Sequence, residues 1–153
     1  MSTRQPLPES ALHLDQQLCF ALYSASLAMT RIYKPLLAKL GLTYPQYLVM
    51  LVLWEQPRMS VSDIGARVFL DSGTLTPLLK RLEKSQLITR DRDAGDERRV
   101  FIALTDTGRA LRTEALRIPE CILAQTQCDV PALQVINRDI RHLRERLSAP
   151  VVF

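Results

Sequence analysis

A mainly α-helical fold carrying one small β wing is what this sequence predicts, on three observations. Apolar residues recur at helical spacing at both ends of the chain: Leu14, Leu18, Leu22, Ala25, Met29 and Ile32 near the start, Leu133, Ile136, Ile140, Leu143 and Leu147 near the end. Two short alternating runs, Leu87–Arg92 and Arg98–Leu104, flank the turn-forming stretch DAGDE. Within Val61–Thr105 that hairpin follows two short amphipathic segments joined by a turn. Helix, turn, helix, hairpin is the order of a winged helix-turn-helix. It places a reading helix near Thr74–Leu82 and a wing near Asp91–Arg99.

Taken in order, the elements are expected as follows. Residues 1–11 form a loose arm. A first helix runs from Leu14 to Arg31 or beyond and is interrupted or ended by Pro35. A short segment, Leu36–Leu40, closes on Gly41 as a C′ glycine. Thr43 with Gln46 three residues on forms a capping box, and Pro45 sits in the first turn that follows. Tyr47–Trp54 is apolar almost all round, so this helix is buried and ends before Pro57. Ser60 with Asp63 caps the next helix, whose apolar face is Val61, Ile64 and Val68.

Leu75, Leu78, Leu79 and Leu82 follow at i, i+3, i+4, i+7, the inward stripe of a packed helix. Its start is ambiguous between Ser72 and Thr74. The first choice leaves Pro77 inside the helix without a bond to Gly73, so an irregular or tightened first turn is expected. Thr105 caps a long helix, Asp106–Cys128, which Pro119 kinks or divides. Val130-Pro131 starts the last helix.

With 153 residues and 47% hydrophobic content, the chain is expected to be a single domain with its own core. Met1–Glu9 is short and polar with two prolines, and no apolar run approaches the roughly 18 residues of a membrane span. A soluble, cytoplasmic protein without membrane contact is expected. Three scattered cysteines without a C-x-x-C, and only two histidines, predict neither a disulfide framework nor a metal site, and no cofactor motif occurs. The net charge of +4 permits an anionic partner without requiring one.

The DNA-reading expectation rests on position. With the Leu stripe inward, Thr74, Thr76, Lys80 and Arg81 face outward, with Ser72 at the helix start. Hydroxyls and cations of this kind contact base edges and phosphates in a major groove. At the wing, Arg92, Arg98 and Arg99 surround the tip, suited to a narrow minor groove. Asp96 lies two residues before Arg98, where a bidentate pair would hold that guanidinium. The terminal helices exceed what a winged core can cover, so 12–56 and 106–148 are assigned to a dimerisation region and 57–105 to DNA binding. A twofold homodimer fits the two half-sites of a pseudo-palindromic double-stranded operator.

Beyond the pattern, LCFALYSASLAMTRIYKPLLAKLGLTYPQYLVMLVLWE and FLDSGTLTPLLKRLE resemble the MarR family of winged-helix repressors, and within it the organic hydroperoxide resistance regulators. The resemblance spans about Leu14 to Leu147. It implies an intertwined homodimer and a repressor that leaves its operator when a cysteine is oxidised by organic hydroperoxide. It also implies that the reactive cysteine is Cys19, in LCFALYS, with hydrogen-bonding tyrosines at Tyr33, in RIYKP, and Tyr44, in LTYPQY. From the residues alone, Cys19 sits one position from Leu18 of the apolar stripe, at a packing boundary. No Lys, Arg or His lies one turn away in sequence, and sequence does not bring either tyrosine to it.

In two-cysteine members of the family the oxidised thiol pairs with a cysteine on the partner's long helix. That position corresponds here to Ala124. Cys121 lies three residues before it and Cys128 four after, so either is a candidate to resolve Cys19, with Cys121 preferred. If neither reaches, a small thiol caps it instead. Two other readings stay open: a MarR-type repressor released by a small aromatic ligand with no redox switch, and a thiol peroxidase. The enzymatic one lacks a thioredoxin-like βαβ pattern, so a non-enzymatic regulator is expected.

Overall fold

Caps and turns readable in the sequence account for most of the helix boundaries in the computed structural model, which describes residues 8–149. Two tight 3-10 turns, Glu9–Leu12 and Leu14–Gln16, precede the first helix, α1 (Leu18–Ala38). The helix thus begins four residues later than its apolar periodicity suggested. Gln17 explains the delay: its side-chain amide donates back to the carbonyls of Ala11 and His13, holding the chain in tight turns up to that point.

Pro35 neither ends nor interrupts α1. An interior proline forfeits one backbone bond and costs about 3 kcal/mol. Here it falls in the last turn, which the fully buried Leu37 anchors. The end is closed at Gly41, whose φ of +68° is the left-handed conformation that glycine adopts without penalty. Its N–H donates to the Ala38 carbonyl and that of Leu42 to the Leu37 carbonyl, both at 3.1 Å.

The capping box forms as expected. The Gln46 N–H donates to Thr43 Oγ1 at 3.4 Å, and the Thr43 N–H donates to Gln46 Oε1 at 2.8 Å. It starts α2 (Tyr44–Glu55), which buries Tyr47, Val49, Met50, Val52 and Leu53. A strand the sequence reading missed, β1 (Arg58–Ser60), follows. Ser60 then caps α3 (Val61–Val68), its Oγ accepting from the Asp63 N–H at 3.1 Å.

The helix expected to read DNA, α4 (Ser72–Lys84), begins regularly, so the expected irregular first turn is absent. Asp71, and neither Ser72 nor Thr74, is its cap: Oδ1 accepts from the Thr74 N–H at 2.8 Å and Oδ2 from the Thr74 hydroxyl at 3.1 Å. Leu75, Leu78, Leu79 and Leu82 are all buried.

The wing comprises β2 (Ile88–Arg92) and β3 (Val100–Leu104). The sheet is antiparallel in the order β1-β3-β2, with Met59 and Arg90 opposite Ile102 and Asp91 opposite Phe101. Thr105 caps α5 (Asp106–Ala115) by accepting from the Gly108 N–H at 3.0 Å.

The expected long helix is divided, as Pro119 suggested. α6 (Arg117–Thr126) carries that proline in its first turn, where a missing N–H costs no ladder bond. α6 ends at Thr126, however, because Gln127 turns left-handed at φ 53°. Cys128 therefore lies in the loop beyond the helix and not on it. Asp129 accepts from the Ala132 N–H at 2.8 Å to cap α7 (Val130–Ser148), with Pro131 in the first turn.

The chain falls into two compact units, divided after Glu114. The core of the first is the α2 apolar face, the α4 leucine stripe, Ile64, Ile88, Ile102 and Leu104. In the second, Ala115, Ile118 and Ile122 are buried, while α7 buries no residue. The apolar stripes of α1 and α7 are only partly covered, each within its own unit. Leu18 is 59% exposed, Tyr23 63% and Leu147 68%. Among the described residues, no helix is long and apolar enough to cross a membrane.

Candidate functional site

Of the DNA-facing candidates, Ser72, Thr76, Arg98 and Arg99 line one groove of the winged segment, while Thr74 and Arg81 lie on the other flank of α4. Ser72, Thr74, Lys80 and Arg81 are exposed on α4, and Thr76 is half-buried. This follows from the helical period: four leucines inward leave these positions outward. Where α3 and α4 begin, they face the wing across a groove of about 380 Å³. Its walls include Ser62, Ser72, Thr76 and the Asp63 carboxylate, which accepts the Ser60 hydroxyl at 2.6 Å, on the helical side, and Arg90, Arg98 and Arg99 on the other. Hydroxyl donors opposite guanidinium groups suit phosphate oxygens.

The wing tip is held by backbone bonds. The Asp93 N–H donates to the Arg99 carbonyl and the Arg99 N–H to the Asp96 carbonyl, both at 2.9 Å. Asp96 does act on Arg98, but not by the expected guanidinium pair. Its Oδ1 accepts from the Arg98 backbone N–H at 3.0 Å, as an Asp does when it shapes a tight turn. Arg98 and Arg92 are exposed, and the Arg99 guanidinium lies 5.3 Å from the centre of the Phe101 ring. Arg58 covers the same ring at 3.9 Å.

Sequence reasoning missed Arg90. Its Nε lies 3.3 Å from Glu83 Oε2, tying α4 to β2, yet makes no well-directed hydrogen bond. The sign that pointed to it was alternation: Arg90 shares the face of Ile88 and Arg92 along β2.

Cys19 is an exposed free thiol. Because α1 starts at Leu18, Cys19 occupies its first turn. Tyr33 lies fourteen residues further along the same helix, about 21 Å at 1.5 Å per residue. One chain therefore does not bring Tyr33 to its own Cys19.

What it does bring together is an aromatic cluster. The Tyr33 and Tyr44 rings are 5.0 Å apart, Tyr33 and Tyr47 5.8 Å, and Tyr47 and Trp54 6.3 Å. Partial burial, with the neighbouring phenols of Tyr44 and Tyr47, pushes the Tyr33 hydroxyl up to about 12. Burial likewise raises Tyr44. These phenols thus stay protonated, as hydrogen-bond donors, at neutral pH.

Both other thiols are free. Cys121 is exposed on α6, and Cys128 is half-buried with its Sγ donating to the Thr126 carbonyl at 3.4 Å.

A sequence profile described as transcriptional regulator SarA/Rot matches residues 31–114. The chain is 47% identical to the organic hydroperoxide resistance transcriptional regulator of Bacillus subtilis, over 89% of the chain and 92% of the relative. It is 50% identical to the HTH-type transcriptional regulator TtmR of Methylorubrum extorquens, over 89% and 70%. Among solved structures it is similar to AbfR, a protein of Staphylococcus epidermidis. Reduced AbfR bound to DNA matches with a TM-score of 0.76 and 32% identity, covering 92% of this chain and 99% of that one. Disulfide-formed AbfR matches at 0.59 and 35%, covering 88% and 94%.

Proposed function

The chain belongs to the MarR-type winged-helix transcriptional regulators, among the organic hydroperoxide resistance regulators, and on that premise we propose that it is a peroxide-gated repressor. Two copies pair through the partly covered stripes of α1 and α7 and present two α4 helices to successive major grooves of a pseudo-palindromic operator. Organic hydroperoxide oxidises Cys19, and the dimer lets go. The observation that carries this reading is the exposed free thiol of Cys19 in the first turn of α1, in the same chain as an exposed hydroxyl and arginine face.

The chemistry balances without a cofactor. The Cys19 thiolate attacks one peroxide oxygen, the O–O bond breaks, and the other oxygen leaves with a proton as the alcohol. The cysteine becomes a sulfenic acid. A second thiol then attacks that sulfur, forming an S–S bond and releasing the sulfenic oxygen as water. A disulfide needs its two Cα atoms within about 4.4–6.8 Å, so forming one draws its helices into a new arrangement. Release follows only because the oxidised arrangement disfavours the spacing of the two reading heads.

The distance along α1 bears on the tyrosines. If phenols hold the reduced thiol, they come from the other copy, as the partner's Tyr33 and the partner's Tyr44. The neutral, raised phenols described above support that donor role. Cys121 is the preferred resolving thiol, being exposed on a helix, whereas Cys128 sits in a loop with its Sγ–H already donated. The domain assignment of 57–105 to DNA and the flanking helices to the dimer belongs to the same proposal.

Cys19→Ser is the test. The variant is expected to bind operator as the reduced protein does and to stay bound through peroxide treatment. Peroxide release surviving in Cys19→Ser overturns the redox reading and leaves the small-ligand one. For the resolving thiol, non-reducing mass spectrometry of oxidised Cys121→Ser decides: a Cys19 disulfide persisting there moves the role to Cys128.

A further inference from the structure

Trp54 is the sole tryptophan of the chain, and it joins two parts of the winged unit. At one end of α2, Tyr44 and Tyr47 form the first turn and pack with Tyr33 of α1. At the other end, about 15 Å along the helix axis, Trp54 stands edge-on to Tyr47. Its indole N–H donates to the Gly108 carbonyl at 2.9 Å, a contact spanning 54 residues of sequence.

Gly108 is in turn pressed against the root of the wing. A β-carbon there would collide with the carbonyl of Leu87, the residue leading into β2. That carbonyl accepts from the Thr105 N–H at 3.1 Å, and the Thr105 hydroxyl donates to the Gln86 carbonyl at 2.6 Å. The start of α5 and the start of β2 are thus pinned together, with the Trp54 hydrogen bond on top of the pin.

We infer that Trp54 is the positioning residue that carries a displacement of the tyrosine cluster, along α2, to the root of the wing. The inference rests on the peroxide-gated reading and extends it, by naming how a change at the tyrosines reaches the reading head. The chain of contacts is continuous: ring on ring, along one rigid helix, then a single directed hydrogen bond onto backbone that has no room to yield locally. A shift of α2 is therefore passed on as movement of α5 and β2 together. Packed interfaces of this kind switch between discrete arrangements because they do not deform gradually. The ring contact of Trp54 is with Tyr47 and its hydrogen bond is to Gly108, so its effect is on coupling and not on binding itself.

Trp54→Phe keeps an aromatic ring beside Tyr47 and removes the N–H donor together with part of the indole's bulk. Reduced Trp54→Phe is expected to bind operator close to wild type. Its loss of affinity on organic peroxide treatment should be smaller than that of wild type by about tenfold, within the usual scale of coupling between two sites. Release as complete as that of wild type overturns the inference. If wild type itself does not release, the peroxide-gated reading has failed instead, and the two failures stay distinct. A second measurement needs no variant at the relay. The emission of Trp54 in wild type should shift on oxidation and stay constant in peroxide-treated Cys19→Ser. Unchanged emission in wild type that has released its operator also overturns the relay.

Discussion

Replacing Gly108 by alanine places a methyl group where the Leu87 carbonyl already stands, and within 3.1 Å of Leu104 Cδ2. The first contact is with backbone, which has no rotamer to escape into, and the same carbonyl is bonded to the Thr105 N–H. Forcing an extra methyl into a filled site costs about 1–3 kcal/mol. Moving the start of α5 also stretches the Trp54 hydrogen bond, worth about 1 kcal/mol. Against this, alanine in place of glycine within a helix returns about 1 kcal/mol. The balance is a destabilisation of about 1–3 kcal/mol, or roughly 2–12 °C in Tm for a chain of this size.

Thermal unfolding followed by far-ultraviolet circular dichroism reads this directly, at one protomer concentration throughout because dimer stability depends on it. Gly95→Ala is the matched control. Its β-carbon meets only Asp93 Oδ1, at an ordinary 3.9 Å, so no change is expected. If Gly108→Ala melts with wild type, α5 is not seated on the wing root as described, and the relay through Trp54 loses its fixed end.

Other expectations follow from single groups. Hydrogen bonds from the Thr74 backbone and hydroxyl hold the Asp71 carboxyl below its ordinary value of 3.8, so its capping contribution is complete above that pH and is lost as pH falls through the lower folded value. Asp71→Asn should flatten that acid dependence in a stability-against-pH series; an unchanged acid limb contradicts the cap. Tyr33, raised to about 12, favours the folded state below pH 10, and stability should fall as pH rises from 10 through about 12. Tyr33→Phe should reduce that alkaline loss, and an identical alkaline limb contradicts its burial. Arg98→Ala should weaken binding to specific and non-specific DNA alike and lower the salt slope by about 1. An unchanged slope removes Arg98 from the phosphate contacts.

The parts of the fold that sequence displayed were those determined locally. Thr43 with Gln46, Ser60 with Asp63 and the four leucines of α4 act within a few residues, so their spacing suffices. β1 escaped notice because three residues carry no period, and its pairing with β3 lies more than forty residues away. The start of α1 was misplaced because Gln17 folds back on Ala11 and His13, a choice that competes with helix and leaves no periodic trace. Cys128 was placed on a helix because nothing in Gln127 announces a left-handed turn; that conformation is usually glycine's.

The candidate site divides the same way. Exposure of Lys80 and Arg81 followed from the helical period, and that of Arg92, Arg98 and Arg99 from their place around the turn. The side chain of Arg90, sitting between α4 and β2, required the third dimension.

The most direct measurement is operator binding by the wild-type protein before and after stoichiometric organic hydroperoxide, repeated with hydrogen peroxide. The reduced protein should bind tightly, lose the operator on organic peroxide treatment, and regain it when a thiol reductant restores Cys19. Retained binding after mass spectrometry has shown Cys19 oxidised would contradict the account at its centre.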